Sequence, residues 1–96
     1  MAAWLVERRL SKTAARLRSL RSELGVIDEQ LMYLGDDADD QAIRAMVAET
    51  STANAEARRA REQVEAMRRH RDHVVAEIDD LERRQDELLD QLSAAR

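Results

Sequence analysis

Three residues in the second half of the chain have the side chains and the spacing of a metal site. His70, His73 and Glu77 follow one another at intervals of three and four residues, so on a helix they share one flank. Two imidazoles and a carboxylate are ligands that Zn²⁺ accepts. No second cluster of ligands accompanies them, and a solvated, charged helix flank has the same composition. We expect no bound metal or cofactor, with these three residues as candidate ligands.

Four aspartates form a second cluster of possible ligands. They are Asp36, Asp37, Asp39 and Asp40. A calcium loop spreads its ligands over about twelve residues and closes with a glutamate, and that spacing is absent. Aspartate also caps helix starts, where it interacts favourably with the helix dipole. The cluster therefore predicts the beginning of a helix.

Arginines are concentrated in two stretches that could neutralise phosphates. They are Arg8, Arg9, Arg16, Arg18, Arg21, Arg58, Arg59, Arg61, Arg68 and Arg69. The net charge is nevertheless −4, and Trp4 and Tyr33 are the only aromatic residues, so no stacking platform for bases exists. A nucleic-acid-associated helical protein is an alternative function, which the balance of charge disfavours.

Features typical of catalysis are missing from the sequence. There is no cysteine, and the two glycines, Gly25 and Gly35, do not form a phosphate-binding loop. No paired carboxylates are set apart on a scaffold. We therefore expect a protein that is not an enzyme.

Heptad spacing predicts a first helix over about residues 3–34. Apolar side chains recur at intervals of three and four residues, with Thr13 as a polar member, which is typical of a coiled-coil seam. The seam residues of this helix are Val6, Leu10, Leu17, Leu20, Leu24, Ile27, Leu31 and Leu34.

A second heptad array predicts a second helix over about residues 39–95. Gly35 is suited to end the first helix, so residues 35–38 are expected to form a tight turn. The poor helix formers of residues 50–54 allow a kink there. The seam residues assigned to this helix are Ile43, Met46, Ala53, Ala57, Ala60, Val64 and Met67.

These elements predict an all-α fold in which residues 1–96 form a single domain. It is an antiparallel helical hairpin, a coiled coil with a long second helix. Large residues of the first helix would face alanines of the second, which favours close packing. Two polar seam residues, Arg71 and Gln85, are interpreted as specificity devices, with Arg71 in reach of Glu7.

The longer second helix would extend beyond the first and expose an apolar stripe, which indicates an interaction site. The residues of this expected dimer interface are Ile78, Leu81, Gln85, Leu88, Leu89 and Leu92. A homodimer is predicted, as an extended coiled coil or a four-helix bundle; a heterologous helical protein is the other partner. Residues 1–24 carry a net charge of +4 and residues 72–96 one of −5, which favours the bundle. The predicted function is a scaffold, adaptor or assembly factor.

The segment Tyr33-Leu34-Gly35 resembles the aromatic-x-Gly turn of the secreted WXG100 proteins, which are helical hairpins of similar length. The resemblance implies a secreted hairpin as a further alternative. The chain has Tyr where that family has Trp, and it lacks the family's Tyr-x-x-x-Asp/Glu tail signal. The apolar start, residues 1–6, is too short for a signal peptide or a membrane span, so a cytoplasmic location is expected.

Overall fold

The computed structural model describes residues 2–95, and these residues form two helices. Helix α1 comprises Ala3–Ala48 and helix α2 comprises Ser51–Ala95. No strand occurs in the described part of the chain. The predicted all-α helical hairpin is confirmed, but the two helices are nearly equal in length, and the predicted long second helix is wrong.

The hairpin divides into two compact units, each with one segment from either helix. Unit 1 combines Met1–Leu24 with His73–Arg96, and unit 2 is Gly25–Asp72. The turn between the helices belongs to unit 2. Whether the chain acts as a single domain stays a prediction.

Helix α1 continues through the segment that was expected to turn. Gly35 has no positive φ angle and lies within the helix. The seam of α1 goes on beyond it at the same intervals of three and four residues, first at Ala38 and Gln41 and then at the buried Ala45. The predicted turn at residues 35–38 and the predicted helix limits at 34 and 39 are therefore wrong, because the seam spacing outweighs the local turn signals.

The chain turns at Glu49 and Thr50 instead. Glu49 has a φ angle of 53°, in the left-handed region that commonly ends a helix, and its N–H donates to the carbonyl oxygen of Ala45 over 3.0 Å. The Thr50 hydroxyl accepts a hydrogen bond of 3.1 Å from the N–H of Ala53, as an N-cap residue does. The poor helix formers at residues 50–54 thus mark the turn itself rather than a kink within one helix.

The seam of unit 2 combines larger residues with five alanines. Ile27 and Val64 are its large buried members, and they are joined by the buried Ala45, Ala57 and Ala60. Other seam positions are half-buried; they are Leu31, Leu34, Ala38, Gln41, Ala53 and Met67. Alanines at facing positions let two helices approach closely.

Two residues assigned to the seam from the sequence are not part of it. Ile43 and Met46 are 56% and 70% exposed. They keep the heptad phase of α2, but they lie on α1, whose own phase is different. Because the phase changes at Glu49 and not at Gly35, both side chains point away from the seam, and this part of the predicted seam is wrong.

Unit 1 has the larger core. Val6, Leu17 and Leu20 are the most completely buried large side chains. From α2, unit 1 has the buried residues Val74, Ile78 and Leu88. Counting outward from the turn places Leu20 opposite Ile78 and Leu10 opposite Leu88. The same register places the buried Thr13 opposite Gln85. These two polar residues of the unit 1 seam therefore share one layer. No buried side-chain nitrogen or oxygen among the described residues lacks a hydrogen-bond partner.

Gly35 provides a direct test of where the chain turns. An added Cβ at Gly35 would meet no atom within 4 Å, so we expect Gly35→Ala to raise the free energy of unfolding by about 1 kcal/mol through helix propensity. Chemical denaturation followed by circular dichroism measures this change. Gly25→Ala is the matched control, since Gly25 is equally free of contacts inside α1 and lies in the first helix under either turn. A gain for Gly25→Ala together with a loss for Gly35→Ala would restore the turn at 35–38.

The cap at Thr50 yields a second stability prediction. Thr50→Ala removes the acceptor of the Ala53 N–H and should lower the free energy of unfolding by about 1 kcal/mol. Thr52→Ala, two residues along in α2, removes the same atoms without removing a cap and should be neutral or stabilising. Equal losses in the two variants, measured by the same denaturation experiment, would contradict the cap.

Candidate functional site

The three candidate metal ligands are not brought together as a site. Glu77 is engaged by Arg16, whose Nη2 donates to the two carboxylate oxygens over 3.0 and 3.3 Å and whose Nε donates over 3.2 Å. His70 belongs to unit 2, whereas His73 and Glu77 belong to unit 1. Within residues 2–95, no group of three histidine or acidic side chains is arranged to hold a metal ion.

The aspartate cluster does not cap a helix. Residues 36–40 lie inside α1, and the four aspartates are exposed. The capping interpretation is therefore wrong, and the cluster has to be explained as part of a helix surface.

The arginine stretches are divided between the two units. The arginines of residues 8–21 belong to unit 1, and those of residues 58–69 belong to unit 2. Several arginines of the chain are paired with carboxylates. Arg16 bonds Glu77, and Arg21 lies 3.4 Å from Glu82. Both pairs are about half exposed, and such pairs contribute at most about 1 kcal/mol each.

Charge nevertheless matches across the hairpin in both units. In unit 1 the basic segment 1–24 pairs with the acidic segment 73–96. In unit 2 the α1 segment, residues 25–48, has six acidic residues and one arginine, a net charge of −5, and the α2 segment, residues 51–72, has six arginines and four acidic residues, a net charge of +2. The complementarity that the sequence suggested between two copies is therefore present within one chain.

Arg71 pairs with a different residue from the one expected. Its Nε donates to Oδ1 of Asp28 over 2.5 Å, and not to Glu7. The hydrogen bond and the negative charge of Asp28 raise the pKa of Arg71 above its ordinary value, so the guanidinium stays charged at any practical pH. Arg71 occupies a seam position, but its ion pair with Asp28 lies at the surface of unit 2, where both side chains are partly exposed.

The expected dimer interface on α2 is largely used inside the chain. Ile78 and Leu88 are buried, and Leu81, Gln85 and Leu92 are half-buried seam residues. Only Leu89, at 48%, is well exposed. The overhang that motivated this interface does not exist, because α1 is as long as α2 and covers it. The assignment of these residues to a dimer interface therefore loses its basis.

Large apolar side chains are exposed on unit 2 instead. Val26, Tyr33, Ile43 and Val47 lie on the face of α1 that points away from the seam, and they are between 53% and 82% exposed. They belong to one row at intervals of three and four residues, here called the outer stripe. The outer stripe consists of Val26, Glu29, Tyr33, Asp36, Asp40, Ile43 and Val47.

The outer stripe has apolar ends and an acidic middle. Val26, Glu29 and Tyr33 form one end, so this end also contains one carboxylate between its two apolar side chains, and Met32 beside them is 56% exposed. Ile43 and Val47 form the other end, flanked by Met46. Asp36 and Asp40 lie between the two ends, one helical turn apart. The stripe has the spacing of a coiled-coil seam, so it can receive a further helix along its length.

Unit 2 thus combines a seam that contains five alanines with an outer face of α1 that exposes large apolar residues. The outer stripe is therefore the candidate interaction site of unit 2. Sequence reasoning missed the stripe because it assigned Ile43 and Met46 to the seam. The signal that would have found it is charge, since a turn at Gly35 would place the arginines of residues 8–21 opposite those of residues 58–69.

Tyr33-Leu34-Gly35 lies inside α1, so the segment that resembles the WXG100 turn is not a turn. Neither helix, over the residues described, has a stretch long and apolar enough to cross a membrane. Comparisons of the chain with family models, curated proteins and solved structures found no match.

A pair of isoleucines distinguishes the seam from the outer stripe. Ile27 is 3% exposed and Ile43 is 56% exposed. We expect Ile27→Ala to cost about 2–5 kcal/mol of unfolding free energy, and Ile43→Ala to change it by less than about 0.5 kcal/mol. Denaturation at low micromolar concentration measures both. A large loss for Ile43→Ala would show that Ile43 belongs to the hydrophobic core and would remove it from the stripe.

Proposed function

We propose that this protein is a non-enzymatic coiled-coil interaction module, which acts as an adaptor or scaffold by receiving an α-helix of another protein on its outer stripe. The observation that carries the proposal is the exposure of Tyr33, Ile43 and Val47 along one face of α1. An amphipathic helix that docks in a complementary row buries such side chains at heptad positions.

The outer stripe is suited to binding because its helix is already formed. The stripe lies on α1, which the seam holds against α2 on the opposite side. Docking would then require little ordering of the module itself, and such ordering otherwise reduces affinity. The cost of association would fall mainly on the partner helix.

A partner of different sequence is favoured over a second copy. If the outer stripes of two copies paired, in parallel or antiparallel, the pairs Asp36 and Asp40 of the two chains would meet in the middle. Buried like charges cost several kcal/mol, so the acidic middle opposes this homodimer. The homodimer predicted from the sequence becomes an outcome of the test below.

A protein partner also fits the charges better than a nucleic acid does. The exposed apolar side chains lie among carboxylates, which repel phosphates. Arg16 and Arg21, two of the ten arginines considered for phosphate binding, form ion pairs within the chain. The cytoplasmic location stays a prediction.

A displayed library of helical peptides tests the proposal. The purified protein selects from a library in which apolar heptad positions are fixed and all other positions vary. We expect selected peptides to lose binding at least about tenfold, about 1.4 kcal/mol, to a double variant with Ile43→Asp and Val47→Asp.

Leu89→Asp is the matched control, because Leu89 is also apolar and exposed but lies in unit 1. It should leave binding unchanged. Docking on the outer stripe would be refuted if the selected peptides bound the double variant as tightly as the unchanged protein, or if no peptide were selected. Light scattering on the protein alone gives its mass, and a dimer lost in the double variant would replace the foreign helix with a second copy.

A further inference from the structure

We infer that the acidic middle of the outer stripe selects the partner, which is a helix with two arginines or lysines at consecutive core positions between apolar residues. This inference rests on the proposed function, since it requires that the stripe receives a helix. It assigns Asp36 and Asp40 as the residues that determine specificity.

The two carboxylates are placed where a partner's core would face them. Asp36 and Asp40 are exposed and belong to the same row as Tyr33 and Ile43. In a coiled coil, residues of such a row meet the core residues of the facing helix. A docked helix would therefore bury both carboxylates together with the apolar ends.

Nothing in the described chain neutralises these carboxylates. Neither Asp36 nor Asp40 forms a salt bridge or side-chain hydrogen bond with any of residues 2–95. Arg44, one turn beyond Asp40, does not pair with it. The cation that compensates them on docking must come from the partner.

Burial makes the choice of partner residue selective. A carboxylate that loses water without gaining a cation is strongly destabilising, so an apolar or acidic partner core is rejected. Arginine meets a carboxylate with two parallel hydrogen bonds, and its aliphatic stem packs on neighbouring apolar side chains. A neutral amide supplies hydrogen bonds without charge and is expected to be intermediate.

The spacing of the stripe gives the partner a recognisable pattern. Opposite the five stripe residues from Tyr33 to Val47, the partner's core positions are three and four residues apart. In one direction they would be apolar, basic, basic, apolar and apolar. The apolar residues meet Tyr33, Ile43 and Val47, and the two basic residues meet Asp36 and Asp40. The partner is thus an amphipathic helix with a basic interruption in its apolar row.

Three designed peptides that differ only at the two central core positions test this inference. They carry Arg and Arg, Gln and Gln, or Glu and Glu there, and fluorescence anisotropy measures their binding to the full chain. We expect the Arg peptide to bind at least about tenfold more tightly than the Gln peptide, and the Glu peptide to bind most weakly. A double variant with Asp36→Arg and Asp40→Arg should reverse this order.

The matched control is a double variant with Asp37→Arg and Asp39→Arg. It changes net charge by the same amount on the same turns of α1, but outside the outer stripe, and should weaken the Arg peptide much less than the change at Asp36 and Asp40 does, because a docked helix would not bury these positions. Circular dichroism establishes that both double variants remain helical.

The outcomes separate this inference from the proposed function. Equal affinities of the Arg and Gln peptides for the unchanged protein would overturn the selection of a basic partner while docking stands. An equal loss in the Asp37 and Asp39 variant would also overturn it, because net charge alone would explain the effect. Failure of all three peptides, together with an empty library selection, would overturn the docking itself.

Discussion

The uninterrupted seam of α1 is the constraint on which the rest of the structure depends. From Val6 to Ala45 the seam residues follow one another at intervals of three and four, and no residue of this row is charged. A helix that turned at Gly35 would expose Ala38 and Ala45 but would give Ile43 and Met46 a partner. The observed hairpin has the opposite arrangement, in which each unit pairs a segment of α1 with a segment of α2.

Charge supports the same choice of turn. The basic segment 1–24 faces acidic residues of α2 in unit 1, where Arg16 and Glu77 are in contact. With a turn at Gly35, that segment would have faced the arginines of residues 58–69. Each exposed ion pair contributes little, but a long row of like charges across a seam would oppose pairing at every turn. The charge pattern therefore selects between two hairpins that the apolar pattern alone allows.

Much of the seam could be predicted from the sequence, whereas the turn could not. The seam positions expected in α1 through Leu34 and in α2 from Ala53 onward are buried or half-buried, because heptad spacing is a repeated signal. Their expected partners across the seam are wrong, because the position of the turn sets the register. The turn was misplaced because Gly35 and the neighbouring aspartates are strong local signals, and because Ile43 and Met46 happen to share the phase of α2. The poor helix formers of residues 50–54 did signal the observed turn, but the sequence analysis interpreted them as a possible kink, because the heptad phase of Ile43 and Met46 continues across them. The misplaced turn also concealed the outer stripe. It suggested a dimer interface at residues that, apart from Leu89, are buried or half-buried within the chain.

The seam of unit 2 and the outer stripe lie on opposite faces of α1, so the residues of one face influence which face packs against α2. Large residues lie on both faces of α1 in unit 2, so heptad spacing alone leaves the choice of seam ambiguous. Asp36 and Asp40 resolve this ambiguity, because burying them against α2 without compensating cations would be costly, whereas Ala38 and Ala45 pack without cost. The acidic middle thus directs α2 to the small-residue face and leaves the apolar ends of the stripe exposed. The residues that specify how this chain folds are then the same residues that would specify what it binds.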